Sequence, residues 1–182
     1  YVCCIVDDAS KDGEQDVIRK YVADNFDLSE GSCHFERETD YAFITYAQHK
    51  TNKNCYFTVL YLKENHYSIK KSKMPYLAEW QDGCEYHALC EGDDYWIHLE
   101  KLQMQTDFLD NNGIYSLCHT GFDILFEECK HIENGDRITL NNQYIHASGE
   151  NIMEAIIDGN RYKVQTLTIM YRLKFREAVD EM

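Results

Sequence analysis

The sequence is poor in basic residues, contains one proline and has no long apolar run. Eighteen lysines and arginines stand against 32 aspartates and glutamates among 182 residues, which gives a formal net charge of −14. This charge argues against a nucleic-acid backbone or an anionic membrane surface as the main partner and favours a bound divalent cation. No stretch of 18 apolar residues occurs, so no segment is predicted to span a membrane.

Cysteine spacing and the N-terminus exclude further classes. None of the eight cysteines forms a Cys-x-x-Cys pair, which favours reduced thiols over a disulfide framework or a zinc site. The start of the chain lacks the charged region and the cleavage site of a signal peptide, so we expect a cytoplasmic protein, either free or peripheral to the inner face of the membrane. Tyr1 already lies in a strand-like run, so we expect further sequence before it.

The alternation of strand-like and helix-like segments predicts one α/β domain over residues 1–182, with a mostly parallel sheet and helices on both faces. Residues 24–55 lack a clear period and are interpreted as an insertion with one short element. The predicted strands are residues 1–6, 56–62, 86–90, 114–125 and 164–172. The predicted helices are residues 14–22, 74–80, 98–113 and 151–160, and a polar hairpin is predicted at 127–147. The apolar faces of two helices are predicted from the periodicity as Val17, Ile18 and Tyr21, and as Leu99, Leu102, Thr106 and Leu109.

The segment VDDASKDG, residues 6–13, follows the first predicted strand. Its spacing of acidic residues and glycine resembles the start of an EF-hand loop, but the twelfth position counted from Asp8 is Arg19, where a bidentate glutamate is needed. A turn and helix cap explains Ser10 and Asp12. This turn and cap does not explain the adjacent Asp7 and Asp8, because adjacent carboxylates repel each other unless a cation or hydrogen-bond donors face them.

A second acidic cluster, EGDD at residues 91–94, follows the predicted strand 86–90. In open α/β sheets, ligands bind outside the carboxyl ends of the strands. The two clusters would therefore face one crevice if their strands are near neighbours. Two acidic pairs, each placed after an apolar run, are more than packing requires.

The chain resembles the family 2 glycosyltransferases of the GT-A fold, of bacterial type. The resemblance rests on VDDASKDG, on CEYHALCEGDDYW with the following LEKLQMQTDFL, and on NIMEAIIDGNRYKVQTLTIMYR. It covers about two thirds of the chain, leaving out 24–55. In one departure, Trp96 is followed by Ile97, His98 and Leu99 where the family often has Trp-x-Asp-Pro.

The resemblance implies a metal-dependent, inverting transfer of a sugar from a nucleotide-diphosphate donor, of UDP type, to a saccharide or lipid-linked acceptor in polysaccharide biosynthesis. Asp94 and Asp93 would hold Mn²⁺ or Mg²⁺, and Asp8, Asp93, Asp7 and Lys71 would bind the nucleotide sugar. Glu91 would act through water. The family's first strand would precede Tyr1, and the catalytic base is expected beyond Met182. The alternative is a nucleotide- or partner-binding domain of the same fold without turnover.

Overall fold

The computed structural model describes residues 1–122 and 165–174 of a mixed α/β chain. The chain divides into two compact units, Tyr1–Gly83 and Cys84–Met182. The predicted hairpin at 127–147 and the predicted helix at 151–160 lie outside the described residues. Among those that are described, no helix has the length and apolar character needed to cross a membrane.

The first unit contains five strands, two α-helices and a short 3₁₀ turn. In chain order its elements are β1 (Val2–Asp7), α1 (Glu14–Asn25), β2 (Phe26–Asp27), β3 (Phe35–Glu38), β4 (Ala42–His49), β5 (Tyr56–Leu62), the 3₁₀ turn Met74–Tyr76 and α2 (Ala78–Gln81). The predicted strands 1–6 and 56–62 correspond to β1 and β5. The single helix predicted at 74–80 is instead the 3₁₀ turn followed by α2.

The sheet of the first unit is mixed, which corrects the prediction of a mostly parallel sheet. Its strands run in the order β1-β5-β4-β2, and β3 also pairs with β4. Only the pairing of β1 with β5 is parallel in this unit, since β4 runs antiparallel to β2, β3 and β5. The reason lies in residues 24–55, which form three strands rather than one short element and extend the sheet from the edge of β5.

Both faces of this sheet are covered, as predicted. Alternate residues of a strand point to opposite faces. On one face, Val22 of α1 packs with strand residues such as Val59, and on the other face, Tyr76 and Trp80 pack against a cluster around Leu60. Each face of the unit therefore buries a separate apolar cluster against helical residues.

The buried face of α1 is rotated from the predicted one. Val22 is buried and Ile18 packs against the same cluster, whereas Val17 and Tyr21 are exposed. Ile18 and Val22 are four residues apart, which is the spacing of neighbours on one helix face. The buried face of α1 thus begins at Ile18, one residue later than predicted.

The second unit has a three-stranded sheet and one long helix within the described residues. Its elements are β6 (Tyr86–Ala88), α3 (Lys101–Asn111), β7 (Leu117–His119), the 3₁₀ turn Thr166–Thr168 and β8 (Ile169–Arg172). The strand order is β6-β8-β7 and both pairings are antiparallel. All three strands are shorter than the sequence segments in which they were predicted.

The buried ridge of α3 also differs from the predicted stripe. Leu109 is fully buried as expected, but its companions at four-residue spacing are Lys101 and Gln105. Leu99 precedes the helix and is exposed. A charged and an amide side chain therefore occupy positions where periodicity predicts apolar ones.

The same substitution at two positions of α1 tests which face is buried. Val22→Ala should lower the free energy of unfolding by about 1–3 kcal/mol, because it removes buried methyl groups. Val17→Ala, at a side chain that is 68% exposed, should change it by less than about 0.5 kcal/mol. Urea unfolding of both variants measures the difference, and an equal loss at the two positions would contradict this packing.

Candidate functional site

The first acidic cluster lies where two parallel strands end together. The register of β1 with β5 pairs Asp7 with Tyr61. Asp8 therefore follows β1 at the same edge of the sheet at which residues 63–73 follow β5. Ala9 then adopts a left-handed backbone conformation with φ of 58°, which turns the chain toward α1.

Asp7 serves the local turn. Its side chain is buried, one carboxylate oxygen accepts the Ser10 backbone N–H at 3.3 Å and the other accepts the Gln15 side-chain amide at 2.5 Å. Further along the turn, Asp12 accepts the Glu14 backbone N–H at 3.2 Å. The turn interpretation of VDDASKDG is therefore confirmed for this part of the segment, whereas α1 has Gly13 as its N-cap residue and no side-chain cap hydrogen bond.

Asp8 fastens the segment that follows β5. Its Oδ1 accepts the backbone N–H of His66 at 2.7 Å, and its Oδ2 accepts that of Tyr67 at 3.0 Å. The ammonium of Lys73 also lies 3.0 Å from Oδ2, and the Asp8 carbonyl accepts the Asn65 side-chain amide at 2.8 Å. One aspartate thus connects the start of the 63–73 segment to its end.

The charge of Asp8 is stabilised by these donors. Burial raises the pKa of the Asp8 carboxyl, but the hydrogen bonds from His66, Lys73 and Tyr67 outweigh it, so the pKa lies below its ordinary value. The predicted nucleotide ligand Lys71 is exposed and does not pair with Asp8. A hydrogen bond to the Tyr76 phenol raises the pKa of Lys71 instead. The cation beside Asp8 is therefore Lys73.

The second acidic cluster, residues 91–94, is called the acidic loop below. It forms a turn after β6 in which the Asp94 backbone N–H donates to the Glu91 carbonyl at 3.1 Å. Glu91 and Asp93 are exposed and Asp94 is half-buried. Within residues 1–122 and 165–174, no hydrogen bond or ion pair engages these three carboxylates.

The acidic loop is anchored at both ends. Before it, the Cys90 thiol lies 3.6 Å from the Asp94 carbonyl. After it, the Trp96 indole N–H donates to the Leu167 carbonyl at 2.9 Å, which ties the loop to the turn before β8. The prediction that Trp96 is buried against the sheet is confirmed in part, since its side chain is half-buried. The backbone on both sides of these carboxylates is thus held by contacts within the unit.

The chemistry of the loop suits one kind of metal site. Carboxylates are the protein ligands that Mg²⁺ takes one or two at a time, with its remaining positions filled by phosphate oxygens and water. Asp93 and Asp94 can supply such a pair. Over the described parts of the chain, no three His, Cys, Asp or Glu side chains are grouped closely enough to enclose an ion. The metal assignment stays a prediction, as does the convergence of the two acidic clusters.

Sequence reasoning missed the partners of Asp8 and the buried lysine of α3. The partners of Asp8 include two backbone N–H groups, which carry no residue signature. Lys73 belongs to the basic run KKSK, from which Lys71 was chosen because nothing in the pattern distinguishes the lysines. Lys101 was missed because a buried ammonium on a helix is rare without a partner.

The contacts of Asp8 predict a pH-dependent contribution to stability. Asp8→Asn should lower the free energy of unfolding by about 1–3 kcal/mol at pH 7, because it removes the charged acceptor shared by the His66 and Tyr67 backbone N–H groups and the Lys73 ammonium. A carboxyl whose folded pKa is lowered contributes fully above its unfolded value and loses the contribution as the pH falls through the folded value. The gap between wild type and variant should therefore be constant from pH 7 to 5 and shrink below about pH 4.

Thermal unfolding of both proteins from pH 7 to pH 3 measures this gap. Asp12→Asn, in the exposed part of the same turn, is the matched control and should cost less at pH 7. A gap that widens toward low pH would contradict the assignment.

Comparison with known proteins gives only a local match. No protein family model matches the chain, and no solved structure matches it. The uncharacterized proteins Rv1520 of Mycobacterium tuberculosis and Mb1547 of Mycobacterium bovis are each 41% identical to it over 44 residues. This stretch is 24% of the chain and spans 13% of the length of each relative.

Proposed function

We propose that the protein is a metal-dependent glycosyltransferase of the GT-A type, which transfers a sugar from a nucleotide-diphosphate donor to an acceptor hydroxyl with inversion. The donor is of UDP type, and the acceptor is a saccharide or a lipid-linked saccharide. The proposal rests on the resemblance carried by VDDASKDG and CEYHALCEGDDYW, together with the arrangement of the residues in these two motifs.

The observation that carries the proposal is the acidic loop. Three carboxylates lie on one anchored turn without a protein partner among the described residues, and a divalent cation would supply the opposite charge that they lack there. A buried polar network or a capping role would show donors directed at these oxygens. The cluster at Asp7 and Asp8 shows such donors, and this contrast supports our assignment of residues 91–94 as the ligand-binding cluster.

The first cluster supports the proposal in a different way. Asp8 is occupied by protein donors, so we assign it to holding the 63–73 segment rather than to direct binding of the base or ribose. This segment carries Lys70 and Lys71, both exposed. A cationic segment at the end of a parallel strand pair is suited to contact the nucleotide, and Asp8 would determine its position.

A bound Mg²⁺ or Mn²⁺ would supply Lewis acidity for the departure of the diphosphate. The contribution of the chain is to present carboxylate oxygens. Asp94, half-buried and fixed through its backbone to Glu91, is the ligand with the better defined position. Asp93 is exposed and would complete the pair or approach the ribose.

Calorimetry with UDP tests the metal dependence. UDP should bind with Mn²⁺ or Mg²⁺ present and much more weakly in EDTA. Asp94→Asn should remove most of the metal-dependent part of the affinity, because it removes a charged ligand. Asp107→Asn is the matched control, since Asp107 lies exposed on α3 in the same unit and its carboxylate accepts the Gln103 side-chain amide at 2.7 Å. Equal affinity in EDTA would exclude a metal-bridged donor.

The alternative, a binding domain without turnover, predicts the same binding but no reaction. Incubation with Mn²⁺, a panel of UDP-sugars and saccharide acceptors separates the two functions. Release of UDP that requires both the acceptor and Asp94 supports the transferase. Tight metal-dependent binding without release of UDP supports the binding domain.

A further inference from the structure

Tyr67 joins a fixed backbone to an exposed aromatic ring. Its backbone N–H donates to Asp8 Oδ2 at 3.0 Å, yet the residue is 84% exposed. Tyrosine is of intermediate burial in folded proteins, so a ring this exposed is unusual. Within residues 1–122 and 165–174, the ring stacks on no other ring and the phenol has no hydrogen-bond partner. The fold thus holds the backbone of Tyr67 and leaves its side chain in solvent.

The loop around this tyrosine, residues 65–71, is closed by its own hydrogen bonds. The Lys71 backbone N–H donates to the His66 carbonyl at 2.9 Å. Ser68 donates twice to Asn65, from its backbone N–H to the side-chain oxygen and from its hydroxyl to the backbone carbonyl, both at 2.8 Å. These bonds hold the 65–71 loop in one shape although most of its side chains are exposed.

His66 anchors the loop in the interior of the first unit. The residue is 1% exposed, its backbone N–H donates to Asp8 Oδ1 at 2.7 Å, and its ring centre lies 5.3 Å from that of Tyr76. Tyr76 in turn stacks on Tyr41, with 4.0 Å between the ring centres. Tyr67 is the next residue along the chain, so its backbone is held between this buried anchor and the Asp8 carboxylate.

Two lysines follow Tyr67 in the same loop. The Lys70 backbone N–H donates to the Tyr67 carbonyl at 3.2 Å, which closes a turn and keeps the two Cα atoms within about 7 Å of each other. Lys70 has φ of 55°, a left-handed conformation that is costly for a residue with a side chain and persists where the surrounding structure imposes it. The ammonium of Lys71 lies 5.9 Å from the centre of the Tyr76 ring. One short, fixed loop therefore carries an exposed aromatic ring and two cations.

The chemistry of this loop suits a ligand with two different parts. A tyrosine on a fixed backbone offers a large contact area at a small cost in conformational entropy, and its face can stack on a planar aromatic group. Ammonium groups bind phosphate oxygens. The loop follows β5 at the carboxyl ends of the parallel pair β1 and β5, where ligands bind in open α/β sheets. A nucleotide joins an aromatic base to phosphates and matches both parts.

We propose that Tyr67 stacks on the base of the bound nucleotide, with Lys70 and Lys71 beside its phosphates. This inference rests on the proposed function, since it assigns a contact to the same nucleotide donor. Stacking covers the face of a base without reading its edge, so Tyr67 adds affinity for a nucleotide without selecting the base. Asp8 contributes through the backbone of the loop and does not contact the base.

Calorimetry with two ligands separates the base from the phosphates. UDP carries both, whereas pyrophosphate carries only phosphates, and each is titrated with Mg²⁺ present. Tyr67→Ala should weaken the binding of UDP on the order of tenfold to a hundredfold, as expected for the loss of one stacked base. It should leave the affinity for pyrophosphate unchanged. Tyr67→Phe keeps the ring and should keep the wild-type affinity for both ligands.

Two further variants serve as controls. Lys71→Met should weaken the binding of UDP and of pyrophosphate alike, because both ligands carry the phosphates. Tyr21→Ala removes another exposed tyrosine of the same unit, on α1, and should leave both affinities unchanged. Because the Tyr67 side chain is so exposed, Tyr67→Ala should also keep the wild-type melting temperature.

The outcomes distinguish the stacking contact from the proposed function. A loss of UDP affinity in Tyr67→Ala that Tyr67→Phe does not share supports the contact. Equal UDP affinity in wild type and Tyr67→Ala overturns it and leaves the proposed function in place. An equal loss for UDP and pyrophosphate in Tyr67→Ala also overturns it, because the ring would then act on the loop and not on the base. A wild-type protein that binds no UDP with Mg²⁺ or Mn²⁺ overturns the proposed function, and the stacking contact with it.

Discussion

The parallel pairing of β1 with β5 is the constraint on which the first unit depends. It brings the ends of two strands to one edge of the sheet, so that Asp8 after β1 meets the backbone of His66 and Tyr67 after β5. The antiparallel strands and both apolar clusters are built outward from β5. Without this pairing, Asp8 would have no fixed partners and the 63–73 segment no fixed position.

Electrostatics distinguishes the two acidic clusters. In an acidic protein of net charge −14, the two clusters differ in whether a lysine contacts their carboxylates in the described part of the chain. Lys73 pairs directly with Asp8 at 3.0 Å and completes a satisfied network. Lys101 faces an aromatic ring and an amide and leaves the carboxylates of residues 91–94 open. The first arrangement is a structural one, and the second leaves residues 91–94 as the loop to which we assign the ligand in the proposed function.

The elements with strong local patterns could be predicted from the sequence. The β-branched and aromatic run YFTVLYL gave β5, and the polar turn before EQDVIRKYV gave the start of α1. The strands within 24–55 were missed because the polar clusters DLSEGS and HKTNKN conceal their alternation. The predicted strand directions were wrong because strands that pair are far apart in the sequence. No local pattern indicates which strands pair or in which direction.

The positions of the two acidic clusters in the candidate site could be predicted, because aspartates are recognisable as possible ligands from residue type alone. Adjacent aspartates at strand ends identified both clusters. Their contacts differ in a way that composition does not encode, since backbone N–H groups donate to the Asp8 carboxylate and none of the described ones donates to that of Asp94. Lys101 was concealed for the related reason that helical periodicity counts only apolar side chains as buried, so the predicted stripe passed through the exposed Leu99 instead.

The central claim, that the acidic loop holds a divalent cation through a bound nucleoside diphosphate, is tested most directly by nuclear magnetic resonance. Mn²⁺ broadens the signals of nearby nuclei, and Mg²⁺ provides the diamagnetic reference. With UDP present, the backbone amide signals of Glu91, Asp93 and Asp94 should broaden first, at Mn²⁺ concentrations that leave them sharp without UDP. Broadening centred on another part of the chain, or equal broadening with and without UDP, would contradict the account.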